Sequence, residues 1–122
     1  MKALRPHLDP AAFTEKVKRQ QGDGYQLACV VNDAGDVSAI AGYRIHETMA
    51  WGKILYLDDL ATSPEKLRKG YAGALLDWLH DEAIAAQCDQ MHLDSGYNRN
   101  DAHRLYLNKG YQLVSHHFAK IV

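Results

Sequence analysis

The chain has 122 residues, 47% of them hydrophobic, which suits one packed core and a single domain spanning 1–122. Its 14 basic and 15 acidic residues leave a net charge of −1, which excludes a global field drawing it to nucleic acid or an anionic membrane, so any charge preference is local. Cys29 and Cys88 stand in separate apolar segments with no CxxC partner, the pattern of two reduced core thiols and of a cytoplasmic, reducing compartment.

In chain order, MKALRPHLDPAAF has no continuous apolar run and carries two prolines, so it reads as neither a signal peptide nor a membrane span. Asp9 can cap a helix with Pro10 at its first position; Phe13 and Val17 form an apolar i, i+4 pair before a stop at Gly22. Tyr25 to Val31 and Val37 to Ile45 are β-rich runs around the loop Asn32-Asp33-Ala34-Gly35-Asp36, and are expected to pair antiparallel. After Met49-Ala50-Trp51-Gly52-Lys53, a third strand runs from Ile54 to Leu60 and breaks at Thr62-Ser63-Pro64. From Tyr71, the apolar residues Ala74, Leu75, Trp78, Leu79, Ala83 and Ala86 recur at helical spacing. Met91 and Leu93 alternate in a short strand, Asp101 to Lys109 reads as a helix closed by Gly110, and Tyr111 to Val122 as a final strand.

Chemistry concentrates between Tyr56 and Leu76. A strand there enters a loop of small and basic residues and then a helix, whose first N–H groups point outward and carry partial positive charge, a phosphate site. Gly70 and Gly73, with Ala72 between them, permit close backbone approach to a pyrophosphate; Arg68 and Lys69 can add full charges. Neither GxxxxGK[ST] nor a GxGxxG after a strand is present, and on the glycines alone a loop built only for tight helix packing is an equal reading.

These residues resemble the GNAT acetyltransferase superfamily. Its acetyl-CoA motif, Q/R-x-x-G-x-G/A, falls on Leu67-Arg68-Lys69-Gly70-Tyr71-Ala72, with Leu67 in place of Gln or Arg in a loop that binds mainly through main-chain N–H groups. A second motif, A-x-x-[LF]-Y-x-x-x-G-[FY], recurs at Ala102-His103-Arg104-Leu105-Tyr106-Leu107-Asn108-Lys109-Gly110-Tyr111. The resemblance implies an α/β (α+β) fold, a mixed, mostly antiparallel sheet flanked by helices, and acetyl-CoA as co-substrate. Relative to the family, Met1 to Leu8 reads as the tail of a first helix and the first strand as missing; the uncovered edge points to a homodimer.

The implied reaction is direct attack of an amine on the thioester, through a tetrahedral oxyanion, to give an amide and the CoA thiolate. The second motif makes Tyr106 the acid: a phenol of pKa ~10 can protonate a thiolate of pKa ~8.5. On residues alone, Tyr106 beside Leu105 reads as a core aromatic. Asp58 and Asp59 lie mid-strand among apolar neighbours, and alternation sends them to opposite faces, so at most one is the base. Pairing of one acid with Arg44 or Lys53 across the sheet is the other reading. Trp51-Gly52-Lys53 followed by Tyr56-Leu57-Asp58-Asp59-Leu60 resembles the corresponding strand of diamine and polyamine N-acetyltransferases, which implies Asp58 as base through water and Asp59 as holder of the cationic substrate. His46, Glu47 and Trp51 are further candidates for an amine site.

The same resemblance carries the main chain of Leu60, Ala61 and Thr62 over as ligands of the pantetheine arm, the loop and helix start from Leu67 through Gly73 as phosphate ligands, and Asn98 and Asp101 as CoA contacts. The histidines fall on different elements, and His116 and His117 point to opposite faces of one strand, so no metal triad emerges. The function these residues point to is N-acetyl transfer to a small cationic amine or lysine-like side chain; the alternative is a non-catalytic acyl-CoA-binding or protein-interaction module on the same fold. No basic-aromatic face suggests nucleic acid.

Overall fold

The structure is a computed structural model, and it describes residues 15, 18–31, 35–62, 70–96 and 99–122. Residues 18–22 are helical and end at the expected Gly22, closed by bonds from the Asp23 and Tyr25 amides to the Gln20 carbonyl. The start expected at Asp9 and Pro10 lies outside the described residues.

Four strands follow the predicted runs: β1 (Gln26–Val31), β2 (Val37–Thr48), β3 (Gly52–Thr62) and β4 (Gln90–Leu93). They form one sheet in the order β1-β2-β3-β4, antiparallel across the first two pairs and parallel between β3 and β4. This is the mixed, mostly antiparallel sheet expected. The connection between β3 and β4 carries α1 (Tyr71–Ala85), and α2 (Asn100–Asn108) follows β4.

α1 forms where leucine and alanine recur every three or four residues, and it buries that stripe against the sheet. Leu75, Leu76, Leu79 and Ala83 meet Ala39, Ala41, Tyr43, Leu55 and Leu57, and this is the core. Each of these leucines contributes roughly 1.5–3 kcal/mol by leaving water. Between β2 and β3 the chain reverses through Met49-Ala50-Trp51, with Gly52 in the left-handed region at φ 72°. There the Asp89 carboxylate accepts from the Lys53 amide at 3.0 Å, anchoring the turn to the start of β4.

Two expectations fail. Tyr111 to Val122 forms no strand: Leu113 and Phe118 are each 91% exposed and Ile121 98%, although the segment has a strand's composition. A strand needs an edge to pair with, and this segment pairs with none among the described residues. Cys29 is exposed on β1 and Cys88 half-buried, so the first is no core thiol; both are free.

Candidate functional site

Two features of β3 create the site. β3 pairs with β2 along its full length, from Thr48↔Gly52 to Ala39↔Thr62, but with β4 only from Ile54↔Gln90 to Leu57↔Leu93. Beyond Leu57 the parallel strands separate, and among the described residues no strand takes up that edge. The β3–β4 ladder therefore ends at Leu57 among the described residues, leaving that side of Asp58 to Thr62 without a strand partner there. The second feature is a bulge just past the end of that ladder. Gly42 pairs with Asp59 and Tyr43 with Leu57, so Asp58 is an extra residue with no partner in the ladder. Such an insertion re-aims the side chains around it.

The bulge corrects the alternation argument, because the two acids do not diverge to opposite faces. The Arg44 guanidinium donates through Nε to Asp58 Oδ2 at 3.0 Å, and the Tyr25 hydroxyl donates to Asp59 Oδ2 at 2.7 Å. The Arg44 guanidinium carbon stands 5.7 Å from the centre of the Tyr25 ring, so the four residues form one cluster. Burial pushes the Asp58 carboxyl up; the Arg44 hydrogen bond and charge oppose that shift, and Asp59 adds to it. The Tyr25 phenol is raised too, first by burial and then by its bond to Asp59, so it stays a donor. Two acids, one guanidinium and one phenol thus meet at the bulge.

Sequence reasoning missed Tyr25, although Gly42 signalled it. A glycine inside a strand marks a close approach by something else. Here that is the Tyr25 hydroxyl, which occupies the space a Gly42 side chain would need.

Downstream, Gly70 caps α1 in the left-handed conformation (φ 81°), with no side chain bonding the first amides among the described residues and no acid in the first turn. Such an N-terminus keeps its donors and its dipole available to phosphate oxygens and offers no repelling carboxylate. Tyr71 and Ala72 are half-buried in that first turn and Gly73 is buried. A Cβ on Gly73 would stand 3.7 Å from Leu105 Cδ1 and 3.5 Å from Lys109 Cε, so α2 rests on this turn and the two sequence motifs lie side by side. Lys109 Nζ bonds Asp77 across the same junction at 3.0 Å.

Tyr106 is on α2, half-buried against the core and edge-on to Tyr111 at 6.0 Å between ring centres. Burial raises its phenol, opposed by the Arg99 charge, so at neutral pH it carries its proton. Of the remaining candidates on β3, Leu60 packs toward the core, Ala61 is buried and Thr62 half-buried. Asp101 lies exposed in the first turn of α2, where an acid also complements the helix dipole. Leu67, Arg68, Lys69 and Asn98 lie outside the described residues.

Glu47 and Trp51 are not brought to the acids. Both sit at the β2–β3 turn, and at about 3.3 Å per residue that turn is roughly 20 Å along β3 from Asp58. Trp51 instead stacks on His92 of β4 at 4.1 Å, a packing contact. Among the described residues no group of three or more His, Cys, Asp or Glu could hold a metal, and no helix is long and apolar enough to cross a membrane.

The model of the Acetyltransferase (GNAT) family matches residues 2–111. An uncharacterised N-acetyltransferase of Bacillus subtilis (strain 168), YhdJ, is 32% identical over 124 residues, a match covering 100% of this chain and 87% of that protein. The aminoalkylphosphonate N-acetyltransferase of Salmonella typhimurium is 29% identical over 121 residues, covering 96% of this chain and 77% of that protein. Among solved structures, AAC(6')-Iy in complex with a bisubstrate analogue, CoA-S-monomethyl-acetylneamine, matches with a TM-score of 0.82 at 17% identity, over 99% of this chain and 85% of that one. At that identity the likeness is one of fold.

Proposed function

The chain belongs to the acetyltransferase (GNAT) family and is an acetyltransferase; on that premise we propose that it transfers the acetyl group of acetyl-CoA to the primary amine of a small cationic molecule or lysine-like side chain. The observation that carries this reading is the acidic cluster at the point where β3 leaves β4. Just past the last β3–β4 pair at Leu57, two carboxylates are held by Tyr25 and Arg44. The aminoalkylphosphonate relative acts on a compound of the same chemical kind, an amine.

In this reading acetyl-CoA supplies the activated thioester. The main chain of Leu60, Ala61 and Thr62 holds its extended arm along that edge of β3, and the amides of Gly70 to Gly73, with Leu67, Arg68 and Lys69 before them, receive its phosphates. Asn98 and Asp101 supply further contacts to CoA. Asp59 attracts the ammonium, and Asp58, whose carboxyl burial raises, accepts its proton through water. Tyr106 returns a proton to the departing sulfur. The enzyme acts in the cytoplasm as a homodimer.

An amine panel assayed for acetyl-CoA-dependent release of free thiol tests this reading. Turnover on polyamines, aminoalkyl compounds or lysine peptides, lost with neutral or acidic acceptors, is the expected result. Calorimetric binding of acetyl-CoA without turnover on any amine would overturn it.

A further inference from the structure

α2 carries Tyr106, and the contacts of that helix fix where the phenol stands. Leu105 rests against the Gly73 turn and Lys109 bonds Asp77 across the same junction, so both tie α2 to α1. His103 reaches elsewhere: its Nε2 lies 2.7 Å from the carbonyl oxygen of Gly96, in the segment that follows β4. Gly96 comes shortly after Leu93, whose pair with Leu57 is the last between β3 and β4. His103 thus joins the helix of the proposed acid to the end of that ladder. The same carbonyl accepts from the Arg99 amide at 3.2 Å, just ahead of the first turn of α2, so both of its lone pairs are used.

Residues three apart on a helix lie on one face, and His103 and Tyr106 are so spaced. Both turn toward β4. Tyr106 packs against the core, and its ring meets Tyr111 edge-on, whose hydroxyl lies 3.7 Å from Met91 Sδ of β4. We propose that His103 is a positioning residue for the acetyl transfer: its bond to Gly96 sets where Tyr106 stands relative to the end of the β3–β4 ladder, and so the distance from the phenol to the departing sulfur. A carbonyl oxygen only accepts, so Nε2 carries the hydrogen, and it does so in the protonated ring as well as in one tautomer of the neutral ring. The tie therefore needs a fixed N–H donor and no charge, and no proton passes through it. A misplacement of about 1 Å costs on the order of 10²-fold in rate, whereas one hydrogen bond adds little to global stability. Loss of the tie is thus a loss of turnover far more than of fold.

This inference rests on the acetyl transfer proposed above, with Tyr106 as its acid. His103→Ala, His103→Gln, Tyr106→Phe and the double variant H103A/Y106F are compared with the parent on the best acceptor of the amine panel. In His103→Ala, kcat is expected to fall by about 10- to 100-fold, with the calorimetric Kd for acetyl-CoA and the melting temperature kept. His103→Gln, whose amide N–H can reach the same carbonyl, should recover most of the loss. In the Tyr106→Phe background, His103→Ala should cost nothing further, because the group it positions is gone. An undiminished kcat, a failure of glutamine to restore it, or a loss that multiplies with that of Tyr106→Phe would each overturn the proposal. A readout independent of turnover is the phenol itself, titrated by ultraviolet absorbance as the difference between each chain and its Tyr106→Phe counterpart. Burial raises that phenol, so a loosened α2 lets it ionise at lower pH in His103→Ala; an unmoved titration overturns the tie. A parent that turns over no amine defeats the acetyl-transfer reading instead, and the titration still decides whether His103 holds Tyr106 in place.

Discussion

The Tyr25 hydroxyl fills the volume that any side chain at residue 42 would need, and Gly42 therefore sets where the phenol meets Asp59. Gly42→Ala is expected to push the ring aside, breaking the Asp59 bond and costing about 1–3 kcal/mol of stability by overpacking. Denaturant unfolding of G42A, Y25A and the double variant checks this: the double variant should be less damaged than the sum of the singles, since the clash needs both groups. Strict additivity would mean that the phenol does not sit there.

The pH dependence follows from Asp58. Burial raises its carboxyl, so the acid limb of kcat/KM is expected above the ordinary aspartate value of about 4. Arg44 opposes that shift; removing its charge in Arg44→Gln moves the limb further up. For stability the sign is the reverse of the usual carboxylate case. Folding favours the protonated acid, so its contribution is present at low pH and is lost as pH rises through the interval between the ordinary value and the raised one. Melting curves of the parent and Asp58→Asn across acidic pH should show the parent losing ground relative to the variant as pH rises through that window.

Tyr106→Phe keeps the ring packed against the core and removes only the hydroxyl. Turnover is expected to fall by about 10²- to 10⁴-fold while the calorimetric affinity for acetyl-CoA is kept. Because burial raises this phenol, the parent's alkaline limb should lie above the ordinary tyrosine value of about 10, and it should vanish in the variant. Equal loss of binding and turnover would assign Tyr106 to packing.

Leu79 is fully buried beneath α1 at the centre of the core. Leu79→Ala leaves a cavity, with an expected cost of about 2–5 kcal/mol seen as a lower denaturation midpoint. Trp78, its neighbour, is 45% exposed, and Trp78→Ala should cost much less.

Much of the fold was legible because hydrophobic period and turn residues are local. The α1 stripe from Leu75 to Ala83 and the strands around Gly35 and Gly52 follow from neighbouring residues alone. The register is not local. Nothing in Leu57-Asp58-Asp59-Leu60 announces that one acid is an extra residue, because the bulge is a property of β3 measured against Gly42 and Tyr43 on β2. For the same reason Glu47 and Trp51 looked close to the acids, when an extended strand carries them away at its full rise per residue. The Tyr111–Val122 segment shows a third kind of limit: its composition reads as that of a strand, yet no strand forms there, because composition does not supply a partner.

The bulge also makes one acid separable from the architecture. A sheet that accommodates Asp58 as an unpaired insertion would close to a regular ladder if that residue were deleted, with Asp59 still opposite Gly42 and Leu57 still opposite Tyr43. The frame can therefore outlive the chemistry. Loss of a single codon would remove this carboxylate and leave the neighbouring pairs of the ladder in register.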